Sequence, residues 1–458
     1  MAGKKFREPI KTDRPEVQKH LNADALLDLI RSEFCQITDH RGSKATISLD
    51  DALMSGFAVF SLKAPSLLAF EEARKSNKIK FQNAFGIDTV PSDTRMREIL
   101  DPIDPETLRR PFQEILGRIQ RENSLKQMAF LDGHYLLSGD GTGFFHSNKL
   151  SNNKCLTKNS KKNGKSYHQM FYGAALVHPD FREVIPLAPE FITKQDGEIK
   201  NDCEREASKR CLAKIRKEQP DLKLIVVEDA LASNGPHIRE LQSNNMRFIL
   251  GAKETDHEHL FQKAAEVEAN GLAVNFYLDD PTTPRKRHNF FFVNGLSLNK
   301  ANPDLKVNFL EYWEIALDKS GKEVPSKQKH FSWVTDLEIN KENAFDIMRG
   351  ARARWKIENE TFNTLKNQGY HLEHNFGLGN ENLSLVFVML MMLAFLVDQT
   401  QQLCCGLYRA AWKQYSSKAT FFEEIRGCFR FLEVERMTQV FRVLVFGHQR
   451  EPLTWDST

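Results

Sequence analysis

The strongest constraint on the fold is the order of segments between residues 134 and 253. Three runs rich in β-branched and aromatic residues come first: HYLLSGDGTGFF, HQMFYGAALV and EVIPLAPEFI. A helical stretch (NDCEREASKRCLAKIRKEQ), a strand (LKLIVVEDA), a short helix after Gly235 and a last strand (MRFILGAK) follow. This order predicts an α/β fold whose first three strands form a meander and whose later strands return parallel through helices.

The segments outside this core do not continue its alternation of strands and helices. The runs LAVNFYL, RHNFFFVNGL, LKVNFLEYWEIAL and KHFSWVTDLEI, separated by turn signals, predict an all-β insertion. The predicted organisation is a helical N-terminal domain (1–125), the first part of the α/β core (126–253), the β-rich insertion (254–340), the second part of the core with a further helix (341–400) and a helical C-terminal region (401–458). The N-terminal domain has two equally good interpretations, a DNA-binding domain and a helical bracket that packs on the next domain.

Bulk composition narrows the class of protein without naming a ligand. A chain of 458 residues exceeds what one hydrophobic core usually covers, so two or three domains are expected. The net charge of +3, from 64 basic and 61 acidic residues, does not by itself indicate nucleic acid binding. Any site for a polyanion must therefore come from local clusters. The seven cysteines form no CxxC pair, and their odd number favours a reducing compartment.

One apolar run could be mistaken for a membrane span. Residues 383–397 read LSLVFVMLMMLAFLV, which falls short of the roughly 20 residues needed to cross a bilayer. The run is predicted to be a buried core helix, and no membrane association is expected. The charged N-terminus, MAGKKFREPIKTDRPE, is not followed by the apolar stretch of a signal peptide.

Two aspartates fall where chemistry is common in α/β sheets. Asp140 lies in the first predicted strand between two glycines, which allow a ligand or another backbone to come close. Asp229 follows the apolar run LIVVE, at the carboxyl end of a strand, where ligands bind in open α/β sheets. Each also has a structural interpretation: Asp140 as a turn residue, and Asp229 as the N-cap of the next helix.

Helical periodicity separates two glutamates in RWKIENETFNTLK. At about 100° per residue, Glu358 lies about 60° from Trp355 and about 40° from Phe362, which places it on the apolar face. Glu360 lies on the opposite side and is interpreted as a solvated surface charge. A carboxylate on an apolar face needs a cation nearby, and both Arg354, four residues earlier, and a metal ion are candidates. Three convergent carboxylates could hold two Mg²⁺ ions about 3.5–4 Å apart for an in-line attack on phosphorus.

These motifs together resemble those of the DDE transposases of bacterial insertion sequences. The resemblance rests on Asp140-Gly-Thr, on Asp229 after Val-Val-Glu, and on Arg354-Trp355-x-Ile357-Glu358, and it covers residues 130–400. It is most specific to the group with a Tyr-Arg-Glu-Lys signature. Two signature positions differ, because Ala351 stands where the Tyr is expected and Leu365 where the Lys is expected, with Lys366 one residue late.

The resemblance implies a fold, an activity and partners. The fold is an RNase H-like mixed sheet flanked by helices and interrupted by the β insertion. The activity is metal-dependent cleavage at transposon ends, followed by transfer of the 3′-OH into target DNA. Asp140, Asp229 and Glu358 would be the catalytic metal ligands for Mg²⁺, which Mn²⁺ can replace, and Arg354 and Lys366 would contact DNA phosphates. The partners would be terminal inverted repeats and target DNA, bound by a homodimer in the bacterial cytoplasm at the nucleoid.

Basic and aromatic residues add candidate DNA contacts. A lysine-rich stretch after Asp140 contains Lys158, Lys161 and Lys162, and a second basic cluster in the insertion contains Arg285 and Arg287. The alternative for the lysine-rich stretch is a solvated loop. Trp333 and Trp313 are candidates for stacking on an unpaired base, although a Trp in a strand more often packs in the core.

Two other functions share these features. A structure-selective DNA nuclease or resolvase would use the same carboxylates without joining 3′ ends to a target. A domesticated, non-catalytic DNA-binding protein would keep the fold, but such a protein is expected to have lost one of the acids, and all three are present here.

Overall fold

The structure is a computed structural model that describes residues 19–42, 45–77, 81–161, 164–193, 203–280, 283 and 285–447. The chain divides into two compact units. The first comprises Met1–Ser124, Leu365–Leu372 and Phe376–Thr458, and the second comprises Leu125–Thr364 and Glu373–Asn375.

The helices and strands of the described residues are numbered in chain order. The α-helices are α1 (Ala23–Phe34), α2 (Leu49–Ser61), α3 (Leu67–Asn77), α4 (Phe81–Phe85), α5 (Asp93–Leu100), α6 (Arg110–Arg121), α7 (Glu204–Glu218), α8 (Gly235–Ser243), α9 (Glu258–Ala269), α10 (Ala344–Arg352), α11 (Asn363–Asn367), α12 (Leu383–Cys404), α13 (Gly406–Trp412), α14 (Lys418–Phe431) and α15 (Met437–Phe446). The strands are β1 (Tyr135–Ser147), β2 (Leu156–Ser160), β3 (Gly164–Val177), β4 (Ile185–Pro186), β5 (Glu190–Ile192), β6 (Leu224–Glu228), β7 (Arg247–Gly251), β8 (Val274–Asp279), β9 (Lys286–Asn299), β10 (Asn302–Ala316) and β11 (Lys329–Thr335).

The second unit is built on a single mixed sheet of 11 strands. Its order is β2-β3-β1-β6-β7-β11-β10-β9-β8, and β4 and β5 pair with β3. β1 is antiparallel to β3 and parallel to β6, which is parallel to β7. The predicted pattern of an antiparallel beginning followed by parallel strands is confirmed. β6 (LIVVE) has a strand on each side and is buried along its whole length, as expected for a parallel strand that is covered on both faces.

The segment 254–340 continues the same sheet. β11 pairs antiparallel with β7, and β10, β9 and β8 follow outward from it. The segment was predicted to be all-β, and this prediction is wrong in one respect. The segment also contains the twelve-residue helix α9. The reason is local: EHLFQKAAEVEA is rich in residues that favour helix, such as Ala, Glu, Gln and Lys.

The first unit packs around one long apolar helix. α12 has 22 residues and is buried along nearly its whole length. Its N-terminus is capped by the carboxylate of Asp101, which accepts hydrogen bonds from the N–H groups of Glu381, Asn382 and Leu383 at 2.9–3.0 Å. By length and composition α12 could cross a membrane, but its apolar window is entirely buried inside the protein. The prediction of a buried helix is confirmed.

A buried ion pair lies within this unit. Asp398 of α12 accepts a hydrogen bond from Nζ of Lys63 at 2.6 Å and another from the hydroxyl of Tyr370. The Lys63 ammonium also lies 4.0 Å from the centre of the Tyr370 ring and 4.2 Å from that of Phe422. These contacts compensate a charge that would otherwise be costly to bury.

Candidate active site

Two of the predicted acids belong to neighbouring parallel strands of the second unit. β1 and β6 pair with Ser138 opposite Val227. Continued by two residues, this register places Asp140 level with Asp229, which directly follows β6. Neighbouring strands are about 4.8 Å apart, so the two acids occupy one edge of the sheet, at the carboxyl end of a central strand.

Asp140 lies within β1, so its interpretation as a turn residue is wrong. It pairs with Gly173 of β3, and the strand continues to Ser147. The reason is that both glycines beside Asp140 are accommodated in extended backbone, and the register shifts only after Gly143. The Oδ1 atom of Asp140 accepts a hydrogen bond of 2.8 Å from the N–H of Gly141.

The glycine after Asp140 makes room for a fourth carboxylate. A Cβ atom added to Gly141 would lie 2.5 Å from Oε2 of Glu204, the first residue of α7. The pKa of Glu204 responds to the Gly141 N–H, to Asp140 and to the charge of Asp229, so its carboxyl group lies near both aspartates. Asp140, Glu204 and Asp229 therefore form one acidic cluster.

Asp229 caps the turn that follows it, as its alternative interpretation predicted, although the turn is a short 3₁₀ helix. Its Oδ1 atom accepts a hydrogen bond of 2.9 Å from the N–H of Leu231. Gly251, at the end of β7, permits this backbone path, because a Cβ there would lie 2.9 Å from the backbone nitrogen of Ala230. The cap uses one carboxylate oxygen of Asp229 and leaves the other for a further partner.

Glu358 is exposed, so its predicted burial on an apolar helical face is wrong. About half of its side chain, 49%, is accessible, and Trp355 is 49% exposed as well. The physical reason is that the segment is not a regular α-helix: residues Ala353–Trp355 form a 3₁₀ turn and residues Ile357–Phe362 form a π-helix. Both have a different number of residues per turn, which shifts the phase of the helical wheel.

Glu360 is also placed differently from its prediction as a freely solvated charge. Only 25% of its side chain is exposed, and it lies 3.5 Å from Arg182 in an ion pair. The buried residues of the π-helix are Ile357, Thr361 and Phe362. Phe362 packs edge-on against Phe171 of β3. A π-helical turn of this kind often marks a functional site.

Arg354 connects Glu358 with the acidic cluster. Its Nη1 atom lies 2.9 Å from Oε1 of Glu358 and 3.8 Å from Oδ2 of Asp140. The backbone holds this position, because the Ser138 hydroxyl donates a hydrogen bond of 3.0 Å to the carbonyl oxygen of Arg354. The prediction that Arg354 is the cation next to Glu358 is confirmed. One guanidinium thus lies between two of the three predicted ligands.

The electrostatics of the cluster show an excess of negative charge. Burial raises the pKa of Asp140 to about 6, and the charges of Glu204 and Glu358 act in the same direction against the hydrogen bond from Gly141. The pKa of Glu204 is raised as well, first by burial of its carboxyl end and then by the charges of Asp229 and Glu228. Arg354 compensates only part of this charge.

The donor types suit a hard divalent cation, whereas their present spacing does not form a cage. Carboxylate oxygens are the ligands that Mg²⁺ and Mn²⁺ prefer. Among the residues that the structure describes, however, no three His, Cys, Asp or Glu side chains are placed to hold one metal ion. Asp140 and Glu358 are held by Arg354, and Asp229 holds its own turn. An ion would require these side chains to exchange their present partners for it.

A buried hydrogen-bond network lies next to the two aspartates. Glu228, directly before Asp229, is 6% exposed and receives a hydrogen bond of 2.5 Å from the hydroxyl of Tyr172. Its other oxygen lies 2.6 Å from Nε2 of His237, at the start of α8. The Tyr172 side chain fills the space above Gly139, where an added Cβ would lie 1.9 Å from the hydroxyl. The network therefore ties together β3, β6 and α8 beside both aspartates.

The candidate DNA-binding cations lie in several places. Lys158 of β2 and Lys161 in the turn after it are exposed at the edge of the sheet, so the lysine-rich stretch is in part a β-hairpin. Lys162 lies outside the described residues. Arg285 precedes β9, and Arg287 within it forms an ion pair of 3.0 Å with Asp279. Lys366 belongs to the first unit, whereas the acids belong to the second.

The predicted stacking role of Trp333 is contradicted by its burial. Trp333 is 7% exposed and packs parallel to Phe331 in the sheet, with ring centres 5.8 Å apart. It also stacks against Tyr312, with ring centres 6.4 Å apart, so a base cannot stack on the ring without displacing these contacts. Trp313 stacks on His330 at 4.8 Å. The exposed tryptophan near the acids is Trp355, which the helical wheel had placed on the apolar face.

Sequence reasoning missed Glu204, and its local sequence carries no signal for it. An acid in the first turn of a helix is common because it interacts favourably with the helix dipole, so Glu204 in CEREASKR looks unremarkable. Its importance comes from the contact with Gly141, which is 63 positions away (204 minus 141) and joins a helix start to the middle of a strand.

The fold and site define a mixed α/β protein in which two aspartates lie level on adjacent parallel strands, with Glu204 of α7 and Glu358 of the π-helix nearby. The structure is similar to that of piggyBac transposase in the cryo-EM structure of its synaptic complex with hairpin DNA, with a TM-score of 0.40 and 11% sequence identity over 97% of this chain and 90% of that chain. A search with protein-family models and a search of curated proteins find no match.

Proposed function

We propose that this protein is a DNA transposase that uses divalent metal ions to cleave DNA at the ends of a mobile element and to transfer the 3′-OH into target DNA. The observation that supports it most is the level placement of Asp140 and Asp229 on adjacent parallel strands, with Glu358 joined to Asp140 through Arg354. The core of the second unit would then be RNase H-like.

Each acid has a role in this proposal. Asp140, Asp229 and Glu358 would hold the ions, and Glu204 would lie beside them through its contact with Gly141. Mg²⁺ or Mn²⁺, when bound, activates the attacking water or 3′-hydroxyl and stabilises the leaving oxygen. Arg354 now bridges two carboxylates, and it would transfer to a DNA phosphate once the negative charge of these acids is compensated. Arg354 is thus a cation whose partners change with the state of the site.

The exposed lysines of the β2–β3 hairpin would supply non-specific affinity for DNA. Lys158 and Lys161 extend from the edge of the sheet that contains Asp140. Such contacts make affinity strongly dependent on salt and carry no sequence information. We infer that the partners are the terminal repeats and the target DNA.

The experiment compares the protein with Asp140→Asn and Asp229→Asn on DNA that flanks its gene, in the presence of Mg²⁺. We expect cleavage by the parent protein and a loss of at least about 100-fold in each variant, because a reaction that depends on held ions fails when a ligand is removed. The control is Glu266→Gln, which removes an exposed carboxylate of α9 that pairs with Lys263. Cleavage by Asp229→Asn at the rate of the parent would refute the assignment.

Two further measurements separate the alternatives. A pre-cleaved DNA end with a free 3′-OH is joined to a target by a transposase and not by a nuclease or resolvase. Thermal unfolding with and without Mn²⁺ measures ion binding without any reaction, because a ligand that binds only the folded state raises the melting temperature. We expect this increase in the parent and in Glu266→Gln but not in Asp140→Asn. A non-catalytic DNA-binding protein would bind DNA and show neither cleavage nor the increase.

A further inference from the structure

A second concave site lies in the same unit and contains none of the four acids. It is a cleft of about 280 Å³. Its lining includes four basic side chains and two carboxylates: Arg349 and Arg352 of α10, Lys356, Lys286 of β9, Asp180 and Asp280. The proposed chemistry uses none of these side chains, whereas Lys286 belongs to the basic cluster of the insertion that the sequence predicts to contact DNA.

Most of the cations in the cleft already have acidic partners. Lys286 and Arg352 share the carboxylate of Glu314, at 2.8 and 2.9 Å. Arg349 lies 2.5 Å from Asp180. These contacts fix the positions of the side chains and orient the guanidinium groups. Lys286 also lies 3.9 Å from Asp280, and Arg349 lies 3.2 Å from Asp346, so carboxylates compensate the charges of these three cations.

Lys356 differs from the other three cations. Its Nζ atom donates a hydrogen bond of 2.5 Å to the carbonyl oxygen of Phe181, which carries no charge. Within the described part of the chain it forms no ion pair. It is also half-buried, and the carboxylates of Glu360, Glu183 and Asp180 act on its charge without forming such a pair. Lys356 is therefore the cation of the cleft that an anionic ligand can engage without displacing an existing ion pair.

The chemistry of the cleft favours a phosphate group. Arginine guanidinium groups recognise the oxygens of phosphate with two parallel hydrogen bonds, and lysine adds a point charge. The volume lies just below the range of about 300–1,000 Å³ that is typical of sites for whole small molecules, which suits one phosphate better than a large ligand.

The position of the cleft relates it to the acids. Ala353 lines the cleft, and the next residue, Arg354, contacts Asp140 and Glu358. The segment 352–358 therefore carries cleft residues and site residues in alternation. A DNA strand with one phosphate at the acids would therefore have its next phosphates near the cleft.

We propose that this cleft binds a backbone phosphate of the DNA strand, through Lys356, Arg349 and Arg352, and so selects which phosphodiester reaches the acids. The inference rests on the proposed function for the identity of the strand. The class of ligand, a phosphate, rests on the cleft alone.

The test measures how DNA affinity depends on salt in the Asp140→Asn protein, which prevents cleavage. Binding of a short duplex is followed by fluorescence anisotropy between about 50 and 200 mM salt, with and without Lys356→Met. Loss of one phosphate contact is expected to reduce the slope of log affinity against log salt by about 0.9. Lys356→Arg is expected to restore it. The control is Lys263→Met, on α9, an exposed lysine that pairs with Glu266 and is expected to leave the slope unchanged.

Each outcome decides the inference. An unchanged slope in Lys356→Met overturns it, provided that thermal unfolding shows a folded protein, and Lys356→Gln serves if Lys356→Met does not fold. A second outcome also overturns the inference: inorganic phosphate raises the melting temperature of the parent but not of Lys356→Met, and the slope is unchanged. The ligand of the cleft is then a free anion. A changed slope without DNA cleavage by the parent protein supports the cleft and refutes the proposed function. Cleavage of DNA by the parent protein together with an unchanged slope in Lys356→Met supports the proposed function and refutes the binding of a DNA phosphate in the cleft.

Discussion

Substitution of His237 tests whether the buried network below the acids depends on a charged pair. His237 and Glu228 are 7% and 6% exposed, and the Nε2 to Oε2 distance is 2.6 Å. Burial lowers the pKa of His237, but the hydrogen bond and the charge of Glu228 outweigh it, so the pKa lies above the ordinary value of 6.5. The contribution of His237 to stability is therefore fully present below pH 6.5 and is lost as the pH rises through the folded-state pKa.

The magnitude follows from the two forms of the imidazole. Below pH 6.5 the variant His237→Gln breaks a buried ion pair, which costs about 3–5 kcal/mol of the free energy of unfolding. Above the folded-state pKa it removes only a hydrogen bond to a charged acceptor, worth about 1.5–3 kcal/mol. For a domain of this size each kcal/mol shifts the melting temperature by about 2–4 °C. The deficit of the variant is thus expected to be roughly twice as large at low pH as at high pH.

The assay is thermal unfolding, followed by circular dichroism, of the parent and the variant at about pH 6 and about pH 9. Tyr172→Phe is the matched control, because it removes a hydrogen bond to the same carboxylate and the pKa of Tyr172 is raised well above 10 by burial and by Glu228. Its deficit is expected to be the same at both pH values. An equal deficit of His237→Gln at both values would refute the argument that the pair is charged.

Two further predictions concern packing and a buried charge. Trp333→Ala is expected to cost about 3–5 kcal/mol in a denaturant titration, because the ring is buried in the sheet, whereas Trp355→Ala, with its 49% exposed side chain, is expected to cost under about 1 kcal/mol. Similar losses would contradict the assignment of Trp333 to the core. In the first unit, Lys63→Met leaves the buried carboxylate of Asp398 without its cation and is expected to cost about 3–5 kcal/mol. Addition of Asp398→Asn is expected to recover much of this loss, and a double variant that is as unstable as the sum of the two single variants would show that the pair is not coupled.

The main elements of the fold were predictable because their signals are local. The run LIVVE is apolar at every position, which is typical of a strand covered on both faces, and β6 is buried along its whole length. The same holds for α12, whose apolar run predicted a buried helix. The alternation of strands and helices was enough to predict the antiparallel and parallel parts of the sheet, since a parallel return requires a crossover.

The predicted site depended partly on such signals. Asp229 could be located because it follows an apolar strand, and Arg354 because it lies four residues before Glu358. The exposure of Glu358 could not be predicted in the same way. A helical wheel assumes 3.6 residues per turn, and the 3₁₀ turn and the π-helix around Arg354 break that assumption without any mark in the composition.

The sequence alone determined which segments are apolar and in what order they alternate, and therefore the class of the sheet and the position of Asp229 at the carboxyl end of a strand. Only the tertiary structure decided which distant side chains share that end. Glu204 reaches Gly141, Tyr172 occupies the space over Gly139, and Trp333 packs against Tyr312 and Phe331. The physical reason is that periodicity records the environment along one segment, whereas a site is made of contacts between segments that are far apart in the chain.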